Sequence, residues 1–188
     1  MDARKTAALS FCLALAFSGA HAQKVGELGT PITHEQFALW DINVLPDGTG
    51  LPEGEGTVTL GEALYQAQCL ACHGAKLEGG IGTALVGGEG SLATEKPLKT
   101  IGSYWPYATT LYDYVRRTMP FQTPQSLTDD EVYSVVAYLL HENDIVPADI
   151  ILNAESLAKI EMPNRNNFYV DDRPDTANER CMTDCLDK

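Results

Sequence analysis

The sequence predicts an all-α fold, on three observations. Apolar residues recur at helical spacing in three separated segments, two of these segments carry a Thr followed three positions later by a Glu, and the stretches between them are broken by glycine and proline. A hydrophobic fraction of 44% and a charged fraction of 21% over 188 residues are ordinary globular usage, which excludes a disordered, collagenous or multi-span membrane protein. With 26 acidic against 13 basic residues the formal charge is −13. That excludes nucleic-acid binding driven by phosphate attraction, and it predicts salt-sensitive docking to basic protein surfaces.

Residues 1–22 read as an export signal: Arg4 and Lys5, the apolar run from Ala7 to Phe17, then Ala20-His21-Ala22 ahead of Gln23. The run is shorter than the roughly 20 residues of a spanning helix, so cleavage and a periplasmic location are expected, with no membrane span in the mature protein. Cys12 leaves with the signal. Residues 23–56 form an N-terminal extension punctuated by Pro31, Pro46, Gly48, Gly50, Pro52, Gly54 and Gly56, with one short helix at Thr33 to Trp40. From Val58 to Gln68 a helix is predicted by Leu60, Ala63, Leu64 and Ala67, with Thr59 and Glu62 as its capping box. Its last turn runs straight into Cys69.

Between Gly74 and Gly102 eight glycines interrupt every period, which fits a loop pressed against something flat. Thr110 to Thr118 reads as a helix, with Leu111, Tyr114 and Val115 on one face and Arg116 and Arg117 near the favourable end of the dipole. Pro120 ends it. Thr128 and Glu131 cap a last helix in which Val132, Val135, Val136 and Leu139 form a stripe and Tyr133, Ala137, Tyr138 and Leu140 make the other faces apolar too, so it is expected to be buried. Residues 57–143 make up the domain. Residues 144–188 are an irregular, acidic C-terminal extension in which Cys181 and Cys185, four apart in an oxidising compartment, are expected to form a disulfide.

The chemistry sits in Cys69-Leu70-Ala71-Cys72-His73. In an exported protein the C-x-x-C-H pattern is the attachment signature of haem c, because two thiols three positions apart can each join one vinyl group while the adjacent imidazole lies beneath the iron. A thioredoxin-type pair needs a βαβ setting, and a zinc site needs further spaced ligands; neither pattern is visible. The expected cofactor is one covalently bound haem c. For the sixth iron position the sequence offers Met119, Met162, Met182, His34 and His141. Met119 is preferred because it follows a helix and precedes Pro120; Met162 and Met182 are expected as core filler, with the two histidines as reserves. Tyr104, Trp105, Arg116 and Arg117 are expected to hold the haem propionates, since buried carboxylates need partners.

Gly61, Tyr65, Cys69 to His73, Met119-Pro120 and Ala137-Tyr138-Leu139 together resemble class I cytochrome c over roughly residues 57–143. The resemblance implies N- and C-terminal helices that cross over the haem, with Gly61 allowing their close approach beside Tyr65 and Tyr138. It also carries over Cys69 and Cys72 as thioether anchors, His73 as proximal ligand and Met119 as distal ligand. Further stretches resemble the cytochrome subunits of Sox-type sulfane dehydrogenases and related sulfite dehydrogenases: Asp41, Asp47 to Pro52, Ile101 to Thr109, Met119 to Phe121, Ser126 to Tyr133 and Glu161 to Arg165. That resemblance implies a haem subunit taking electrons from a molybdenum-containing partner that oxidises sulfur compounds. Such subunits carry a second haem domain, whereas this sequence has a single C-x-x-C-H. Two other functions are weighed against this one: a free shuttle to a terminal oxidase, which leaves the extensions unexplained, and a haem enzyme or ligand sensor with an open iron position.

Overall fold

The computed structural model describes residues 29–172. Residues 1–22, expected as an export signal, Met182, and the expected Cys181 and Cys185 pair lie outside the described residues. The protein divides into two compact units, with the break between Asp41 and Ile42. In the first, α1 (His34–Ala38) opens with a capping box: the Gln36 N–H donates to the Thr33 hydroxyl at 3.2 Å, and the Thr33 N–H donates to the Gln36 side chain at 2.9 Å. No helix among the described residues is long and apolar enough to cross a membrane.

The second unit holds the hydrophobic core. It contains β1 (Glu55–Thr57), α2 (Val58–Gln68), α3 (Leu70–His73), α4 (Ile101–Tyr104), α5 (Ala108–Thr118), α6 (Asp129–Glu142), β2 (Ile151–Asn153) and α7 (Ala154–Ala158), with short 3-10 turns at Ser91–Ala93 and Arg165–Asn167. The centre of this unit is α6. Its apolar sequence buries every residue from Val132 to Leu140, and Thr128 and Glu131 cap it as expected. α2 packs across it more extensively than any other element. A Cβ on Gly61 would strike the Ser134 carbonyl and stand 2.8 Å from Tyr138 Cβ, so glycine is what lets the two backbones touch. Beside that contact the Tyr65 and Tyr138 rings pack 5.3 Å apart.

Two details differ from the sequence reading. α2 is capped by Thr57, whose hydroxyl accepts the Leu60 N–H at 3.3 Å; Thr59 lies inside the helix because the backbone is already helical from Val58. The residues after Asn143 are not simply irregular. β2 pairs antiparallel with β1 in the register Glu55↔Asn153, Gly56↔Leu152 and Thr57↔Ile151, and Leu152, Leu157 and Met162 are buried in the same core. Elements of three and five residues are too short to show a period in sequence.

Candidate functional site

Cys69 is both the last cap of α2 and the first cap of α3. Its N–H donates to the Tyr65 carbonyl at 2.9 Å, while its own carbonyl accepts the N–H groups of Cys72 and His73 at 3.1 and 3.0 Å. The motif is thus one helical turn, and thiols three positions apart share a face of it. Gly74 ends the turn at φ 84°, in the region that glycine favours. The Tyr65 hydroxyl donates to the Gly74 carbonyl at 2.7 Å, which ties the end of the turn back to α2.

Both cysteines are free thiols. Burial, reinforced by the neighbouring Cys72, pushes the Cys69 thiol up to about 11. It is protonated at neutral pH, the reverse of the low-pKa thiolate that makes a C-x-x-C pair a disulfide exchanger. The His73 Nδ1 lies 2.8 Å from the Thr83 carbonyl. A carbonyl only accepts, so Nδ1 carries the proton and Nε2 keeps its lone pair for a metal. The glycine-rich loop lies flat against this ring: a Cβ on Gly82 would stand 2.8 to 3.2 Å from three imidazole atoms.

These groups open onto a cavity of about 460 Å³, within the size range of cofactor sites. Tyr65, Cys69, Cys72 and His73 line it from the motif, and Val135 and Leu139 line it from α6. Leu111, Tyr114 and Val115, the predicted apolar face, line it from α5, with Trp105 packed edge-on at 5.6 Å from Tyr114. Met119 is the cap residue of α5; its extended backbone (φ −119°, ψ 144°) leaves the helix, and it too lines the cavity. Two free thiols at attachment spacing, an imidazole with Nε2 available and a thioether, all on one largely apolar cavity, fit a haem c.

The expected propionate partners divide. Trp105 lines the cavity. Tyr104 does not; its ring meets Phe168 edge-on at 5.6 Å and sits under Lys99 at 4.7 Å. Arg116 is 3.2 Å from Asp129, and Arg117 holds Asp113 at 2.9 and 2.7 Å and Asn43 at 2.9 Å. The two cations at the end of α5 are drawn to carboxylates one turn back and at the start of α6, away from the cavity. Burial works against the charge of Asp113, but the hydrogen bonds from Arg117 and the Val44 N–H, with the charges of Arg117 and Arg116, outweigh it and hold the carboxyl below its ordinary value. The reserve donors in this unit do not line the cavity: His141 has its Nδ1 3.0 Å from the Val146 carbonyl, and Met162 is core. Sequence reasoning missed Gly82 and Thr83. The acceptor at Thr83 is a backbone carbonyl, which no residue type announces.

Residues 56–139 match the protein family described as cytochrome c oxidase, cbb3-type, subunit III. A thiosulfate dehydrogenase from Allochromatium vinosum is 35% identical over 100 residues, which are 50% of this protein and 36% of that one, so the likeness spans little more than a third of that relative. The crystal structure of the sulfane dehydrogenase SoxCD from Paracoccus pantotrophus contains a similar polypeptide, with a TM-score of 0.75 and 46% identity over 86% of this protein and 82% of that one.

Proposed function

The protein belongs to the class I c-type cytochromes of the Sox-type sulfane dehydrogenase family, and we propose that it is an exported, single-haem electron carrier serving as the haem subunit of a molybdenum-containing dehydrogenase of sulfur compounds. Haem c, when bound, supplies a one-electron iron couple. Cys69 and Cys72 would hold it through two thioethers, and His73 would offer Nε2 to the iron. Thr83 orients His73 by holding its Nδ1 proton. Met119 would offer a thioether to the iron, and the apolar residues of α5 and α6 would pack against the porphyrin. No acid, base or nucleophile is required.

The observation that carries this reading is that Cys69, Cys72, His73 and Met119 all line one cavity. The subunit role draws support from the breadth of the SoxCD likeness, which reaches over 86% of the sequence and so well past residues 56–139. A free shuttle needs only the core.

A pyridine haemochrome assay on acid-extracted, denatured protein tests attachment. Pigment retained with a two-thioether spectrum, at one haem per polypeptide, is expected; release of all pigment overturns it. In Met119→Ala the thioether-to-iron band in the far red should vanish and the ferrous protein should bind carbon monoxide, whereas a retained band moves the sixth ligand elsewhere. Native size-exclusion should show a companion oxidoreductase subunit, and a lone monomer in native extract refutes the subunit role.

A further inference from the structure

Asn143 caps the end of α6 and is half-buried. Its side chain makes three hydrogen bonds. The amide nitrogen donates to the Leu139 carbonyl at 2.7 Å and to the Leu85 carbonyl at 3.1 Å, and the amide oxygen accepts the Gly102 N–H at 3.0 Å. Only the bond to Leu139 serves the helix end. The other two reach across 58 and 41 residues of sequence, to the two ends of the second half of the glycine-rich loop.

We propose that Asn143 is a positioning residue for the iron ligand His73, clamping the 74–102 loop so that the Thr83 carbonyl stays on the imidazole. The proposal rests on the reading of His73 as that ligand. Thr83 is two residues from Leu85. On its other side the loop is anchored to the motif, where the Gly79 N–H donates to the His73 carbonyl at 2.8 Å and the Gly82 N–H to the Cys72 carbonyl at 2.9 Å. Beyond Thr83, the Leu85 N–H is tied to the Leu77 carbonyl at 2.8 Å, and the Leu85 carbonyl meets Asn143 at 3.1 Å and the Ile101 N–H at 3.4 Å. Asn143 therefore supplies the shorter of the two ties on that carbonyl. A segment so rich in glycine loses much conformational freedom when it is ordered and depends on such ties. An amide side chain donates two protons and accepts at once, as these three bonds need; a carboxylate keeps only the acceptor. Leu85 and Ile101 line the cavity themselves, so the clamp also sets part of its wall.

The test is hydrogen exchange by NMR on the ferrous holoprotein, with haem content established first by pyridine haemochrome and imidazole ligation by the ring-current-shifted His73 ring protons of the native protein, so that failure of the ligand reading is seen separately. In the wild type the Gly102 amide and the His73 Nδ1 proton should exchange slowly, as α6 amides do; a freely exchanging Gly102 amide overturns the clamp without any variant. Asn143→Ala should speed exchange at both sites about tenfold or more and shift the reduction potential, leaving the Val136 amide unchanged. Asn143→Asp should keep Gly102 protected while releasing the His73 proton. Unaltered His73 exchange in both variants overturns the proposal, as does an equal acceleration at Val136, which marks general loosening.

Discussion

Where α2 crosses α6 the structure is held by burial: Gly61 brings the backbones together, Tyr65 is fully buried, and α6 buries every residue from Val132 to Leu140. The 74–102 loop is held differently. Thr100 Oγ1 donates to the Gly87 carbonyl at 2.6 Å, Ser103 Oγ to the Leu98 carbonyl at 2.7 Å, Ser91 Oγ to the Gly88 carbonyl at 2.6 Å, and Asn143 joins the two ends of its second half. Burial is non-directional and stabilises a frame. Hydrogen bonds are directional, so they can place a single carbonyl such as that of Thr83 on one ring nitrogen. The difference teaches that the frame sets where the cavity is and the loop sets what its imidazole does.

Two variants press on that contrast, and a third lies outside it. Gly61→Val drives a side chain into the Ser134 carbonyl and Tyr138, and should cost at least about 3 kcal/mol in guanidinium unfolding followed by helical circular dichroism. A loss under about 1 kcal/mol would mean that the crossing has slack and is not a packed frame. Thr100→Val keeps the shape but removes a buried donor to Gly87, leaving that carbonyl short of a partner. It should cost about 1–2 kcal/mol, seen as faster amide exchange between Gly87 and Ser103 while α6 amides hold steady. Acceleration spreading through α6 would erase the distinction between loop and frame.

The smallest effect is expected at the charged contact of Asp113 with Arg117, which belongs to neither region. The carboxyl is held below its ordinary 3.8, so the stability it contributes is full above pH 3.8 and is lost as the pH falls through the lower folded value. Because the pair is partly exposed, Asp113→Asn should lower stability at pH 7 by no more than about 1 kcal/mol. The gap from wild type should close on acidification below pH 3.8. A gap that persists there would assign the effect to the changed hydrogen-bonding pattern of the amide instead of the charge.

Much of the frame was legible because its signals are local. Thr128 and Glu131 cap α6 as read, and α2 spans Val58–Gln68 as its period indicates. Leu111, Tyr114 and Val115 share a face that lines the cavity. The capping of α2 was misread because Thr57 and Thr59 both suit a cap, and only the end of β1 at Thr57, with the backbone helical from Val58, decides between them. The positions of Tyr104, Arg116 and Arg117 were not legible either. A cation near a helix end reads alike whether it faces a cofactor or a carboxylate, and the Asn43 partner of Arg117 is 74 residues away.

By itself the sequence determined the mostly helical frame and pointed to haem, because helical period, caps and the C-x-x-C-H spacing each act over neighbouring residues. Tertiary structure alone decided which side chains reach the cavity, that β1 and β2 pair, and that Thr83 and Asn143 stand where they do. Those outcomes depend on backbone carbonyls and on partners tens of residues apart, and the folded geometry is what brings such groups within hydrogen-bonding distance.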